Sequence, residues 1–210
     1  MNLLPGAHEL WLFVAAGLLL NISPGPDMLY VIARSLAQGR GAGTLSALGI
    51  AGGCLVHAAL AAFGISVLLR TSPLAYELLK LAGAAYLIWL GLRTWLNAPA
   101  HAAQTPPPAR RHAILLQGFL TNLFNPKVAL FFLAFLPQFA DAQRGHMAAQ
   151  MLMLGGIFIF NGFWVSWLVA QAAASAAGWL RHDRHQRLIN RTSGSVLIGL
   201  GLRLMLDKTR

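Results

Sequence analysis

The sequence predicts an all-α, polytopic membrane protein with six transmembrane helices arranged as two inverted three-helix repeats. Three observations predict it. Only 10% of the 210 residues are charged and 57% are hydrophobic, whereas a soluble domain carries about 25% charged residues. Most of the surface therefore faces something other than water. Six apolar runs reach the roughly 20 residues that a spanning helix needs. A proline-rich stretch divides those runs into two sets of three, and each set opens on a helix interrupted by proline.

The first run extends from about Leu10 to Ile32 and holds NISPGPD, residues 21–27, in its middle. The second, about Ala42 to Leu69, and the third, about Leu74 to Leu96, complete repeat 1, about residues 8–96. The linker NAPAHAAQTPPPARRH, about residues 97–112, is the one clear shift in composition. Its prolines cannot continue a helix, because each lacks the N–H and clashes with the preceding turn. Repeat 2, about residues 113–206, begins with the run from Ala113 to Phe139, which contains LFNPK. The fifth run spans about Met147 to Ala177. The sixth, about Leu188 to Leu206, is the weakest, since Asn190, Arg191 and Arg203 interrupt it. The short loops leave room for a single integral membrane domain. The first run does not read as a signal peptide: no basic residue precedes Arg34, and the run ends in Pro-Gly-Pro rather than a small-residue cleavage site.

A net charge of +10 would point to nucleic acid in a soluble protein. Here the basic residues sit between apolar runs, as topology signals do. Loops one, three and five hold Arg34, Arg40, Arg93, Arg110, Arg111, Arg181, Arg184, Arg187 and Arg191. The opposite side holds Arg70, Lys80, Arg144, Arg203, Lys208 and Arg210. The bias places both termini outside the cytoplasm. Cys54 is the one cysteine, so neither an intrachain disulfide nor a dithiol oxidoreductase is available.

NISPGPD has a counterpart in FLTNLFNPK, residues 119–127. Each lies in the first helix of its set. Each has an asparagine before a proline, Asn21 then Pro24 and Asn122 then Pro126, and each continues into a charge, Asp27 or Lys127. With three helices per set, the second set enters the bilayer from the opposite face, which is the signature of an inverted repeat. Proline-interrupted spans at matching positions point to a transporter's binding site. A proline frees the carbonyl about a turn earlier, and free backbone groups in lipid cost several kcal/mol unless satisfied. Such a break belongs where it lines a polar cavity. A carboxylate within a span costs at least about 2.5–3.5 kcal/mol, so Asp27 and Lys127 are candidate functional residues and each other's expected partner. Protonation of Asp27 would then release the pair and couple transport to protons. Two plainer readings stand beside this one. Ser23 and Pro24 have the chemistry of an N-cap and first-turn proline, with Asp27 favouring the dipole of a half-helix. Lys127 has the reach to snorkel to an interface.

His57 falls inside the second run and reads as a hydrogen-bonded core histidine or as a proton relay. His101, His112, His146, His182 and His185 show no metal spacing, and neither a metal nor a cofactor is expected. Asn122, Asn125 and Asn161 suit either a zwitterionic ligand or contacts between helices, with Asn161 read as the latter. Gly49 with Gly53, and Ser195 with Gly199, read as close-packing pairs. Trp11, Trp95 and Trp179 read as interfacial anchors.

The stretch SPGPDMLYVIARSLAQGRGAGTLSALGIAGG, residues 23–53, resembles the first signature of the LysE/RhtB amino-acid exporters, and GFLTNLFNPKVALFFLAFLPQF, residues 118–139, resembles the second. The resemblance covers nearly the whole chain. It implies a bacterial inner-membrane protein that exports amino acids or close derivatives against proton entry; the residues themselves show no nucleophile–base pair of an enzyme and point to no nucleic-acid partner, and a homo-oligomer is left open. Carried over residue by residue, it implicates Pro24, Gly25, Pro26 and Asp27 in the first motif and Asn122, Asn125, Pro126 and Lys127 in the second. With Asp27 the one acid well within the spans, and Glu9 and Glu77 near their ends, a neutral zwitterion such as threonine, homoserine, its lactone or leucine is favoured over a basic amino acid. Two alternatives remain open at this stage. One is a metal-cation exporter, for which one acid beside a lysine is a poor ligand set. The other is a scaffold that moves nothing.

Overall fold

The computed structural model describes residues 4–65, 68, 71–96, 106–180 and 183–206. Arg70, Arg181, Lys208 and Arg210, whose charges enter the topology count, lie outside the described residues, as do the linker positions 97–105, His182 and the side chain of Trp179.

Among the described residues the fold is all-helical. The first run is two helices, α1 (Ala7–Ile22) and α2 (Pro26–Gln38), which meet at 51°. Helix α3 (Arg40–Leu60) continues into a wide π-turn, Ala61–Ile65, and α4 is Pro73–Leu96. The fourth run is broken like the first: α5 (Arg111–Leu123) meets the segment Pro126–Phe139 at 50°. That segment is α6 (Pro126–Leu130), a π-turn at Phe131–Phe135 and a 3₁₀ turn at Leu136–Phe139. Helix α7 (Met147–Leu180) and α8 (Asp183–Leu206) complete the chain.

Three segments, Arg40–Gly64, Leu74–Leu96 and Met147–Ala173, are long and apolar enough to cross a membrane, and counting each bent pair as one span makes five. Helix α8 is long enough at about 1.5 Å per residue, but its polar and basic residues keep it out of that set. The candidate spans thus number three to five rather than the six expected, and α8 is not among them.

The core is aromatic where the second break joins the rest. Phe131, Phe132 and Phe135 are fully buried, together with Phe13 of α1 and Phe158 of α7. The rings of Phe131 and Phe158 stack at 4.5 Å. Large apolar residues such as Trp11, Leu74 and Phe124 are exposed, the outward face expected of a protein dissolved in lipid rather than water.

Glycines set the closest approaches. A Cβ on Gly53 would lie 2.8 Å from the Asn122 side chain and the Phe119 carbonyl, and Gly49 faces the carbonyl of Leu115. This pair therefore packs α3 backbone-to-backbone on α5. The other expected pair does not behave so: Ser195 is exposed, and a Cβ on Gly199 would meet open space. The close face of α8 is instead Gly194 and Gly201. A Cβ there would lie 2.6 Å from the carbonyl of Gly91 and 2.8 Å from that of Ala84, both on α4. Two small residues four apart do not by themselves reveal which side of a helix meets a partner. Asn161, expected to join helices, makes no side-chain hydrogen bond among those of the described residues.

Candidate functional site

The two breaks face one another. Pro24 has no N–H to give to the carbonyl of Leu20, four residues earlier, and that carbonyl is taken by Lys127 Nζ at 3.1 Å. The same ammonium donates to the carbonyl of Ser23 at 2.9 Å. Pro126 likewise leaves the carbonyl of Asn122 without its helical donor; the Asn125 N–H reaches it instead at 2.9 Å, and the His57 ring nitrogen Nε2 lies 3.2 Å from it. Across the same gap the Asn122 amide donates to Asp27 Oδ2 at 2.8 Å. Each half's charged residue, placed in the first turn after its own break, is thus received by groups just before the other half's break.

The expected direct ion pair is not what forms. Asp27 and Lys127 line one cavity, but the ion pairs among the described residues are Lys80–Glu77 and Arg144–Asp141. The freed carbonyls compete for the ammonium and take it, while an amide takes the carboxylate. The capping reading also shifts by two residues: the N-cap of α2 is Gly25 and its first-turn proline is Pro26. Ser23 is buried, and its hydroxyl has no partner. In the second break the cap is side-chain based, with Asn125 Oδ1 accepting from the Lys127 backbone N–H at 3.1 Å. Lys127 does not snorkel outward, being only 7% exposed.

Of the residues singled out in the sequence, Asp27, Asn122 and Lys127 line the cavity. Pro24, Gly25, Pro26, Asn125 and Pro126 build the breaks without lining it. A Cβ on Gly25 would sit 3.0 Å from Lys127 Nζ, so glycine there leaves the lysine its path across the first break. His57 stands behind the cavity, buried, its ring 6.0 Å from that of Phe132 and nearly parallel to it.

Sequence reasoning missed the rest of the wall. Asn21, Ser23 and Cys54 contribute to it, and α7 supplies Phe158, Ile159, Gly162, Phe163, Ser166 and Val169. Asn21 carried a signal, since it precedes its proline as Asn122 precedes Pro126. The α7 residues carried none, because an apolar helix shows no direction until its neighbours are known. A Cβ on Gly162 would come within 3.0 Å of Asn21, so this glycine lets α7 close over the first break.

The cavity wall combines polar and apolar groups. Asp27 Oδ1, Asn122 Oδ1, Asn21 Nδ2 and Ser23 Oγ are buried without a hydrogen-bond partner. Buried polar groups are ordinarily paired, so four such atoms around one space mark a place where a ligand's own groups complete the bonding. Val31, Ile50, Phe158, Ile159, Phe163 and Val169 add apolar surface to the same wall. The free volume of about 30 Å³ holds roughly two waters at ~10–15 Å³ each.

The profile of the LysE type translocators matches residues 18–208, a stretch that contains both breaks and the whole cavity wall. The chain belongs to the LysE type translocator family. It is therefore a membrane transport protein rather than an enzyme. Among its relatives, the homoserine/homoserine lactone efflux protein of Salmonella typhimurium is 32% identical over 92% of this chain and 94% of its own length. An uncharacterized membrane protein of Vibrio cholerae is 31% identical over 95% of this chain and 98% of its own. The leucine efflux protein of Enterobacter sp. (strain 638) is 27% identical over 95% and 96% respectively. No solved structure matches the chain of this LysE-type translocator.

Proposed function

We propose that this translocator exports neutral, zwitterionic amino acids or close derivatives such as homoserine or leucine across the bacterial inner membrane. The observation that carries the reading is the set of unpartnered polar atoms divided between the two breaks. Asp27 Oδ1 and Asn122 Oδ1 accept from the substrate ammonium. Asn21 Nδ2 donates to its carboxylate, joined by Lys127, whose ammonium has three protons and gives two of them to Leu20 and Ser23. One carboxylate and one ammonium leave the cavity electrically balanced, which suits a neutral zwitterion better than a cationic amino acid. The apolar wall on α7 takes the substrate side chain. Small as it is, the cavity widens to admit a substrate.

In this reading the chain is one domain of two inverted three-helix repeats, residues 8–96 and 113–206, with both termini periplasmic. The matching 51° and 50° bends and the reciprocal seating of the breaks support it. Export is coupled to proton entry. Asp27 is the one carboxylate on the cavity wall, and a proton there removes the charge that holds the substrate ammonium.

Efflux of labelled homoserine and leucine from preloaded cells, with and without the protein, tests the reading. Acceleration of either, lost in Asp27→Asn, is the expected result. A scaffold gives no flux for any amino acid, and a flux insensitive to the proton gradient removes the coupling.

A further inference from the structure

A row of polar contacts runs from the cavity to the linker. On α2 the residues Asp27, Tyr30, Arg34 and Gln38 recur every three or four positions and so share one face. Each meets the second half or the linker that leads into it. Asp27 is bound by Asn122, and the Tyr30 hydroxyl donates to the carbonyl of Ile114 at 2.9 Å. Arg34 donates to Gln117 Oε1 at 2.6 Å, to the carbonyl of Pro107 at 2.8 Å and to Gln38 Oε1 at 3.0 Å. Gln38 exchanges two hydrogen bonds of 2.9 Å with the backbone of Ala109. Polar side chains within a membrane span are rare and ordinarily mark a substrate path. Here they form a continuous seam in an otherwise apolar bundle.

Arg34 closes the seam. It is 4% exposed, it has no carboxylate partner among the described residues, and its Nε is buried without a hydrogen bond. A buried charge lacking a counter-ion is a poor device for stability. Its partners are instead neutral oxygens, one of them on Pro107 of the linker. Pro106, Pro107 and Pro108 have no N–H, so this segment joins no helix or sheet and is held chiefly by the contacts of Arg34 and Gln38.

We propose that Pro107–Ala109 is a strap over the linker-side mouth of the cavity, and that Arg34 with Gln38 is the releasable clamp that keeps it shut. Release of the strap opens the seam to the face that the charge count makes cytoplasmic, where an exported substrate is admitted. The purpose of the gate rests on the export reading, but its test reads access to the cavity and not flux.

Cys54 supplies the reporter, being the sole cysteine, buried and on the cavity wall. Membrane vesicles of either orientation are treated with a membrane-impermeant sulfonated maleimide, and modification of the Cys54 peptide is followed by mass spectrometry. Arg34→Gln and Gln38→Ala are expected to speed modification about tenfold from one side of the membrane only, with Arg34→Lys between them and the wild type. Unchanged rates, or equal acceleration from both sides, overturn the proposal. A second arm does not depend on weakening the fold. Gln38→Cys combined with Ala109→Cys is bridged by a bis-methanethiosulfonate, which should slow Cys54 modification from that side, with recovery on reduction. Equal rates in the bridged and reduced protein also overturn it. Clamp behaviour as expected alongside no movement of labelled homoserine or leucine would refute the export reading and leave the gate standing.

Discussion

Lys127 illustrates how a single residue is fixed by bonds that its own helix does not make. Its ammonium satisfies two carbonyls of the first break, so replacing it leaves both buried and unpaired, at about 1–3 kcal/mol each. Lys127→Met is therefore expected to lower the melting temperature in detergent as well as to abolish efflux. Gly25→Ala separates those effects. Its added methyl lies against the lysine terminus rather than against backbone, so the chain should fold and insert normally while efflux drops, an outcome that paired thermal-melt and efflux assays would check. Asp27 and Lys127 stood out in the sequence because charge in a span is costly wherever it points. Their separate partners did not, because which oxygen captures an ammonium depends on distances that a sequence does not contain.

At the level of elements, each break is a helix whose hydrogen-bond ladder lacks one donor. Pro24→Ala returns an N–H to the carbonyl of Leu20 and removes the steric cause of the bend. It should raise thermal stability while lowering transport, since Lys127 then competes with a helical donor for the same oxygen. A melting temperature that falls would count against the break as a built cavity wall. The pair α4 and α8 makes the opposite point. Gly194 lies against the backbone of Gly91 and Trp95, so Gly194→Val should push the helices apart and cost stability by several kcal/mol, as overpacking and lost contacts combine. Denaturation of the purified variant would read it. The breaks were legible because proline chemistry is local. The packing face of α8 was not, since Gly194 and Ser195 are neighbours in sequence and only the position of α4 decides between them.

At the scale of the whole molecule, the proposed inverted repeat makes a topological prediction. A reporter enzyme active only in the cytoplasm should be silent when fused to the C-terminus and active when inserted in the linker; the reverse pattern would invert the orientation and move the strap to the periplasmic face. By itself the sequence determined that the chain is apolar enough for a bilayer, and that two of its apolar runs are broken by proline just ahead of one charge. Those features follow from composition and from bonds between near neighbours. Tertiary structure alone decided that the breaks exchange partners, that α7 supplies part of the cavity wall, and that a buried arginine holds the linker at Pro107. The physical reason is range. Hydrogen-bond loss at a proline is settled within four residues, whereas the contacts of Arg34 with Pro107 and of Lys127 with Leu20 join residues 73 and 107 positions apart and exist only once the helices have packed.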